Sequence, residues 1–73
     1  MRDDIRKFAA HEIAVEGKET IYNAVVELSA GVVVNYYTFS GELPFTEWLG
    51  GRIDVREDND GTMRAYRNGK PLG

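Results

Sequence analysis

A mainly β chain, folded as a small antiparallel sheet, sandwich or barrel of about five strands, is the class this sequence predicts. Three observations predict it. Glycine-centred turn signals divide the chain at short, even intervals. The segments between them are rich in Val, Ile, Tyr, Phe and Thr, residues that suit a pleated surface. Two turns read independently also place largely apolar residues on one shared sheet face, as register demands wherever one face is buried.

The first element spans Phe8 to Val15 and ends at Glu16-Gly17-Lys18-Glu19, which reads as a hairpin loop with Gly17 at its first central position. Ile5, Phe8, Ala9 and Ile13 also follow helical spacing, with Asp3 or Asp4 available as a cap. The fit of the Gly17 loop favours a strand. Thr20 to Leu28 forms the second element, and Ala30-Gly31 turns the chain into a third from Val32 to Phe39.

Two-residue loops at both turns set Ile13 opposite Tyr22, His11 opposite Ala24 and Leu28 opposite Val33. Ala9, Ile13, Tyr22, Ala24, Val26, Leu28, Val33, Tyr37 and Phe39 would then share the buried face of a three-strand meander.

Ser40-Gly41 ends that meander, and Pro44 suits the first position of a short helical turn over residues 44–49, closed by Gly50-Gly51. Arg52 to Arg56 then alternates Ile53 and Val55 with charged residues. A polar loop over 57–61 returns the chain through Thr62 to Arg67, with Met63 and Ala65 facing in. This last hairpin would set Asp54 opposite Arg64 and Arg52 opposite Tyr66. Asn68-Gly69 is a strong turn signal, and residues 1–4 and 70–73 are expected to fray.

Composition bounds the function. The chain has 73 residues, no Cys and a single His, so one domain is expected, with neither a disulfide nor a Cys-ligated zinc. A domain this small buries only about 60 % of its unfolded surface. Ordering costs of roughly 1.5 kcal/mol per residue nearly cancel the apolar gain. With no staple available, packing or self-association must supply stability, and a homo-oligomer is one expectation.

Net charge is −3, spread as four Lys/Arg against eight Asp/Glu over residues 1–51 and five against four over 52–73. That asymmetry is too slight for the strongly basic face expected of a nucleic-acid binder. No apolar run approaches the length of a membrane span. The charged start Met1-Arg2-Asp3-Asp4 does not read as a secretory signal, so a cytoplasmic location is the default expectation.

Each constellation with chemical potential has a plainer reading beside it. Asp58-Asn59-Asp60-Gly61 suggests a calcium loop, but aligning Gly61 with the loop glycine places Arg56 and Arg67 at ligand positions. It reads as a polar turn, and no metal or other cofactor is expected. His11 could serve a hydrolase-like site with Ser29 or Ser40 and a carboxylate. Neither serine lies in a nucleophile turn, and His11 reads as a half-buried strand residue. Glu42 and Glu47 flank Pro44-Phe45 but sit in a chain with little room for a catalytic cleft.

Arg52, Arg56, Arg64 and Tyr66 face outward on the last hairpin, with Trp48 upstream. Such a set can bind single-stranded nucleic acid or a small ligand, or can satisfy itself through cross-strand charge and cation–aromatic pairs. Trp48 reads first as an apolar plug closing the open end of the sheet, and second as an exposed anchor for a partner.

Asn23-Ala24-Val25-Val26-Glu27-Leu28, Ala30-Gly31-Val32-Val33-Val34 and Leu49-Gly50-Gly51 together resemble the small β-sandwich domain that flanks the barrel in amidohydrolase-type enzymes. The resemblance covers about half of the chain and implies a β-sandwich fold. The chain contains no His-x-His metal motif and no barrel segment, so the resemblance carries no activity with it. The leading functional expectation is a non-enzymatic module that self-associates or docks on another protein.

Overall fold

From Ile5 to Val15 the chain forms a single extended strand, and the helical alternative is not realised. The structure is a computed structural model that describes residues 5–41 and 44–72. Its strands are β1 (Ile5–Val15), β2 (Thr20–Ser29), β3 (Val32–Thr38), β4 (Thr46–Trp48), β5 (Arg52–Glu57), β6 (Met63–Arg67) and β7 (Lys70–Pro71). They form one seven-stranded sheet in the order β3-β2-β1-β5-β6-β7, with β4 also on β1. None of the described residues is helical, so no helix is long and apolar enough to cross a membrane.

The antiparallel meander β1-β2-β3 forms as expected, but its registers differ from the two-loop reading. β1 pairs with β2 through Ile13↔Ile21, Ala10↔Ala24 and Phe8↔Val26, one step away from Ile13 opposite Tyr22 and His11 opposite Ala24. The cause lies at Glu16. Its amide donates to Val55 O at 2.8 Å, continuing the ladder with β5, so the hairpin closes one residue earlier through Val15 N–H to Glu19 O at 2.9 Å.

Between β2 and β3 the expected Leu28↔Val33 pair holds. Ala30 and Gly31 make the two-residue turn, both with positive φ (53° and 79°). Past Glu27 the ladder shifts to Glu27↔Asn35 and Val25↔Tyr37, leaving Val34 as the extra residue of a bulge.

A second irregularity decides which side chains face inward. β1 buries Phe8 and Ala10 on the inner face and then Ile13 and Val15, so His11 and Glu12 fall between two inward residues. Opposite them, Ala24, Val26 and Leu28 face the core but Tyr22 and Asn23 are exposed. Asn23 sits at φ 50° and its carbonyl accepts the Phe39 amide at 2.9 Å. Asparagine is among the few residues that tolerate the left-handed region. Both strands thereby reverse their faces at His11 and Asn23 without losing register.

The inner face collects Phe8, Ala10, Ile13, Val15, Ala24, Val26, Leu28, Ile53, Val55 and Ala65, all 0–4 % exposed. Ile21, Val33, Tyr36, Leu49, Met63 and Leu72 pack around them. Of the expected face, Ile13, Ala24, Val26, Leu28 and Val33 belong to this core. Ala9, Tyr22, Tyr37 and Phe39 do not, because the reversal at His11/Asn23 and the Val34 bulge change their sides.

The expected helical turn at 44–49 is replaced by a strand. Phe45 has φ 56°, outside the right-handed helical region. β4 runs parallel to β1 through Lys7↔Thr46 and Ala9↔Trp48, and Leu49 donates to Ala9 O at 2.8 Å. Gly50 and Gly51, both at positive φ, step the chain sideways. β5 then takes the same edge of β1 further along, through Glu12↔Arg52 to Val15↔Val55. Two short strands thus share one edge in tandem.

The last hairpin pairs Asp54↔Tyr66 and Arg56↔Arg64, two residues from the expected alignment, because the ladder continues to Glu57↔Met63. Asn68-Gly69 makes the expected turn with φ 53° and 81°. Within the segment expected to fray, Lys70 and Pro71 pair with β6 as β7, and Leu72 donates to Ala65 O at 2.9 Å. The expectations for residues 1–4, Glu42 and Gly73 lie outside the described residues.

Candidate functional site

The outer face of the sheet carries a short apolar groove built where β4 meets β1. Ala9, wholly inaccessible, forms its floor. Trp48 stands beside it, fixed by the Ala9↔Trp48 pairing, and Phe39, Asn23, Gly41 and Thr46 complete a depression of about 350 Å³. That is at the small end of ordinary ligand pockets, roughly 300–1,000 Å³. The His11 ring meets Trp48 edge-to-face with centroids 5.0 Å apart, and Phe39 does so at 6.5 Å. Such T-shaped contacts hold aromatic rings in defined orientations.

Trp48 is 53 % exposed, which overturns its reading as a core plug. The reason is its side of the strand: Trp48 shares the outer face with Ala9, while the core lies on the other. Nearby, Phe45 is 96 % exposed, and it lines a second depression of about 410 Å³ with Ile5, Arg6, Lys7, Thr46 and Glu47. Arg6 bridges to Glu47 at 3.3 Å there, and its guanidinium lies 4.9 Å from the Phe8 ring centroid.

His11 is exposed rather than half-buried, and it packs on Trp48 instead of opposite Ala24. Among the described residues, no hydrogen bond links it to Ser29, Ser40 or a carboxylate. Glu47 is occupied by Arg6, and Glu42 lies outside the described residues.

Arg52, Arg56, Arg64 and Tyr66 do share the outward face of the last hairpin, as expected, but with other partners. Arg52 bonds Asp54 at 3.0 Å and Glu12 at 3.3 Å. Arg56 lies over the Tyr66 ring at 5.4 Å. Arg64 bonds Asp58 at 2.7 Å and reaches Gly31 O at 3.4 Å, spanning from β6 to the β2–β3 turn. Arg67, which sequence reading passed over, donates to Leu49 O at 2.8 Å. Each of these guanidinium groups therefore has at least one partner inside the fold.

The acidic loop is likewise internally engaged. Asp58 holds Arg64, and Asp60 accepts the Thr62 amide at 2.9 Å, which keeps its carboxyl below the ordinary aspartate value. No group of three or more His, Asp or Glu among the described residues is placed to hold a metal ion.

The signals that could have located the groove were Asn23, an isolated αL-tolerant residue within a β-rich run, and Phe39 just past the end of β3. Comparison with protein-family models, with curated proteins and with solved structures matches nothing to this chain.

Proposed function

We propose that this chain is a protein-interaction module whose contact surface is the outer face around Trp48, with Phe39, His11 and the neighbouring Phe45. One observation carries the reading: the chain's single tryptophan stands half-exposed over a fully buried alanine floor. Trp and Tyr dominate binding hot spots because they deliver large apolar area at a low cost in conformational freedom. A large aromatic left in water at the rim of a groove is the arrangement such hot spots use.

Self-association through the sheet edges has less support than docking on another protein. Edge strands invite pairing unless blunted by charge, proline or bulges. β3 carries the Val34 bulge, Arg64 caps Gly31 O at its start, and the Asn35 side chain accepts the Tyr36 amide at 2.9 Å. β7 is two residues long and ends in Pro71.

The test uses the full chain immobilised as wild type, Trp48→Ala and Arg56→Ala, with sedimentation run in parallel. A partner retained by wild type and Arg56→Ala but lost by Trp48→Ala is the expected result. Because half of Trp48 is already in water, its removal should cost only about 1–2 kcal/mol of stability. A partner held equally by Trp48→Ala would overturn the reading, as would a strict monomer that retains nothing.

A further inference from the structure

Asn68-Gly69, the turn between β6 and β7, sets a carboxamide beside the least obstructed of backbone nitrogens. An asparagine carboxamide can be attacked at Cγ by the backbone nitrogen of the next residue. The new N–Cγ bond closes a five-membered imide, and the amide nitrogen leaves as ammonia with the proton that the attacking N–H gives up. Water then opens the imide. Opening at the side-chain carbonyl gives aspartate, and opening at the main-chain carbonyl gives isoaspartate, whose chain runs on through Cβ and Cγ. A Cβ on the attacking residue crowds the ring closure, and glycine has none.

Asn68 and Gly69 are both exposed, and a Cβ built on Gly69 would meet nothing within 4 Å. Among the described residues, the Gly69 amide donates no hydrogen bond and the Asn68 carboxamide makes none. Positive φ at both residues marks a type I′ turn. Its ψ of about +30° at the first central position holds the Gly69 nitrogen away from Cγ, so reaction needs the turn to open. Little resists that opening: β7 has two exposed residues, and Pro71 has no N–H to donate. The other asparagines are less suited. Asn23 and Asn59 precede Ala24 and Asp60, each with a Cβ. Asn35 holds the Tyr36 amide at 2.9 Å on its own carboxamide oxygen, but Tyr36 is bulky and fixed opposite Val26 in the ladder.

We infer that Asn68 is a site of covalent self-modification, and that its isoaspartate form releases β7 and Leu72 from the sheet. Isoaspartate adds one carbon, about 1.5 Å, to the backbone of a two-residue loop. Lys70 and Pro71 then fall out of step with Arg67 and Tyr66. Leu72, which bonds Ala65 O through its amide and packs against the core, goes with them. The fully buried Ala65 loses cover on that side.

The experiment incubates the full, isotope-labelled chain in mildly alkaline buffer, with and without urea, and follows each asparagine by peptide mass mapping. The isoaspartyl species is then separated by its added negative charge, and its amide and methyl chemical shifts are compared with those of Asn68→Asp. That variant carries the same charge on an ordinary backbone. In the native chain Asn68 should convert before Asn23, Asn35 or Asn59, and urea should speed its conversion by removing the need to open the turn. The Leu72 amide and methyl shifts should move to unstructured values in the isoaspartyl species and stay native in Asn68→Asp.

Conversion of another asparagine ahead of Asn68 would overturn the site. So would an Asn68 that stays intact in the native chain and converts only in urea, because the reaction would then belong to the unfolded state. Native Leu72 shifts in the isoaspartyl species would overturn the release of β7. Equal loss of those shifts in Asn68→Asp would assign the release to charge and overturn its origin in the lengthened backbone.

Discussion

On the inner face of the sheet, Phe8, Ile13, Val26, Leu28 and Ile53 are closed off from water by strands from both halves of the chain. On the outer face, Ala9 and Val25 are equally inaccessible, yet Trp48 beside them leaves half its surface in solvent. Both faces use apolar residues, but only the inner one converts them into a continuous core. The difference comes from backbone geometry. The reversal at His11 and Asn23 sends Phe8, Ala10, Ile13 and Val15 to one side, and it leaves Ala9 and His11 to support Trp48 on the other. In a chain without disulfides, the first face holds the fold together and the second remains available for contact.

That division can be broken most severely from inside. Ile13→Ala removes a fully buried side chain and should cost about 2–5 kcal/mol, a large part of what so small a domain possesses. Urea unfolding measures it. A cost below that of Trp48→Ala would mean that the two faces had been assigned the wrong way round.

The reversal itself is addressed by Asn23. Replacement with valine forces a β-branched residue into the left-handed region and should cost about 1–2 kcal/mol, while Asn23→Gly should be tolerated with little loss. Thermal denaturation of the two variants separates a backbone requirement from a side-chain contact. Similar melting points for both would remove the argument for a conformationally fixed reversal.

A smaller effect is expected where β6 reaches toward β3. Arg64→Ala loses the Asp58 pair and the bond to Gly31 O, but both charged side chains are more than a third exposed, so solvent screening limits the loss to about 1 kcal/mol or less. Hydrogen exchange of the Val32 and Val33 amides should rise in this variant more than that of Val55. Uniform acceleration would show that the contact does not hold this edge.

The smallest effect concerns pH. Tyr37 donates to Glu27 Oε2 at 2.6 Å, and this hydrogen bond, helped by burial and the carboxylate charge, raises the tyrosine pKa above its ordinary value near 10.0. A pKa raised in the folded state gives stability that is complete below the unfolded value and disappears as pH climbs through the folded one. Wild type should therefore lose stability above about pH 10 more steeply than Tyr37→Phe. Parallel alkaline limbs in the two proteins would show that the bond does not contribute in solution.

How far the sequence disclosed this arrangement depended on locality. Ala30-Gly31 and Asn68-Gly69 were legible because their turns are written in the residues that make them. Ile13, Ala24, Val26, Leu28 and Val33 were legible as core from alternation. The sides of Ala9, Tyr22, Tyr37 and Phe39 were not. They depend on Asn23 entering the left-handed region and on the Val34 bulge, and each reverses every residue beyond it.

β4 was still less accessible. Thr46-Glu47-Trp48 is too short to signal a strand on its own, and the strand exists because the edge of β1 at Lys7–Ala9 offers partners distant in sequence. Trp48 could be singled out from its residue type, but its exposure followed from that non-local pairing.

The central claim is that Trp48 belongs to the open face. Because it is the only tryptophan, acrylamide quenching of its fluorescence reports on this residue alone. The native protein should show a substantial fraction of the quenching seen in urea, with emission intermediate between buried and fully hydrated indole. A native signal almost immune to quencher, with emission shifted fully to the blue, would place Trp48 in the core and contradict the account.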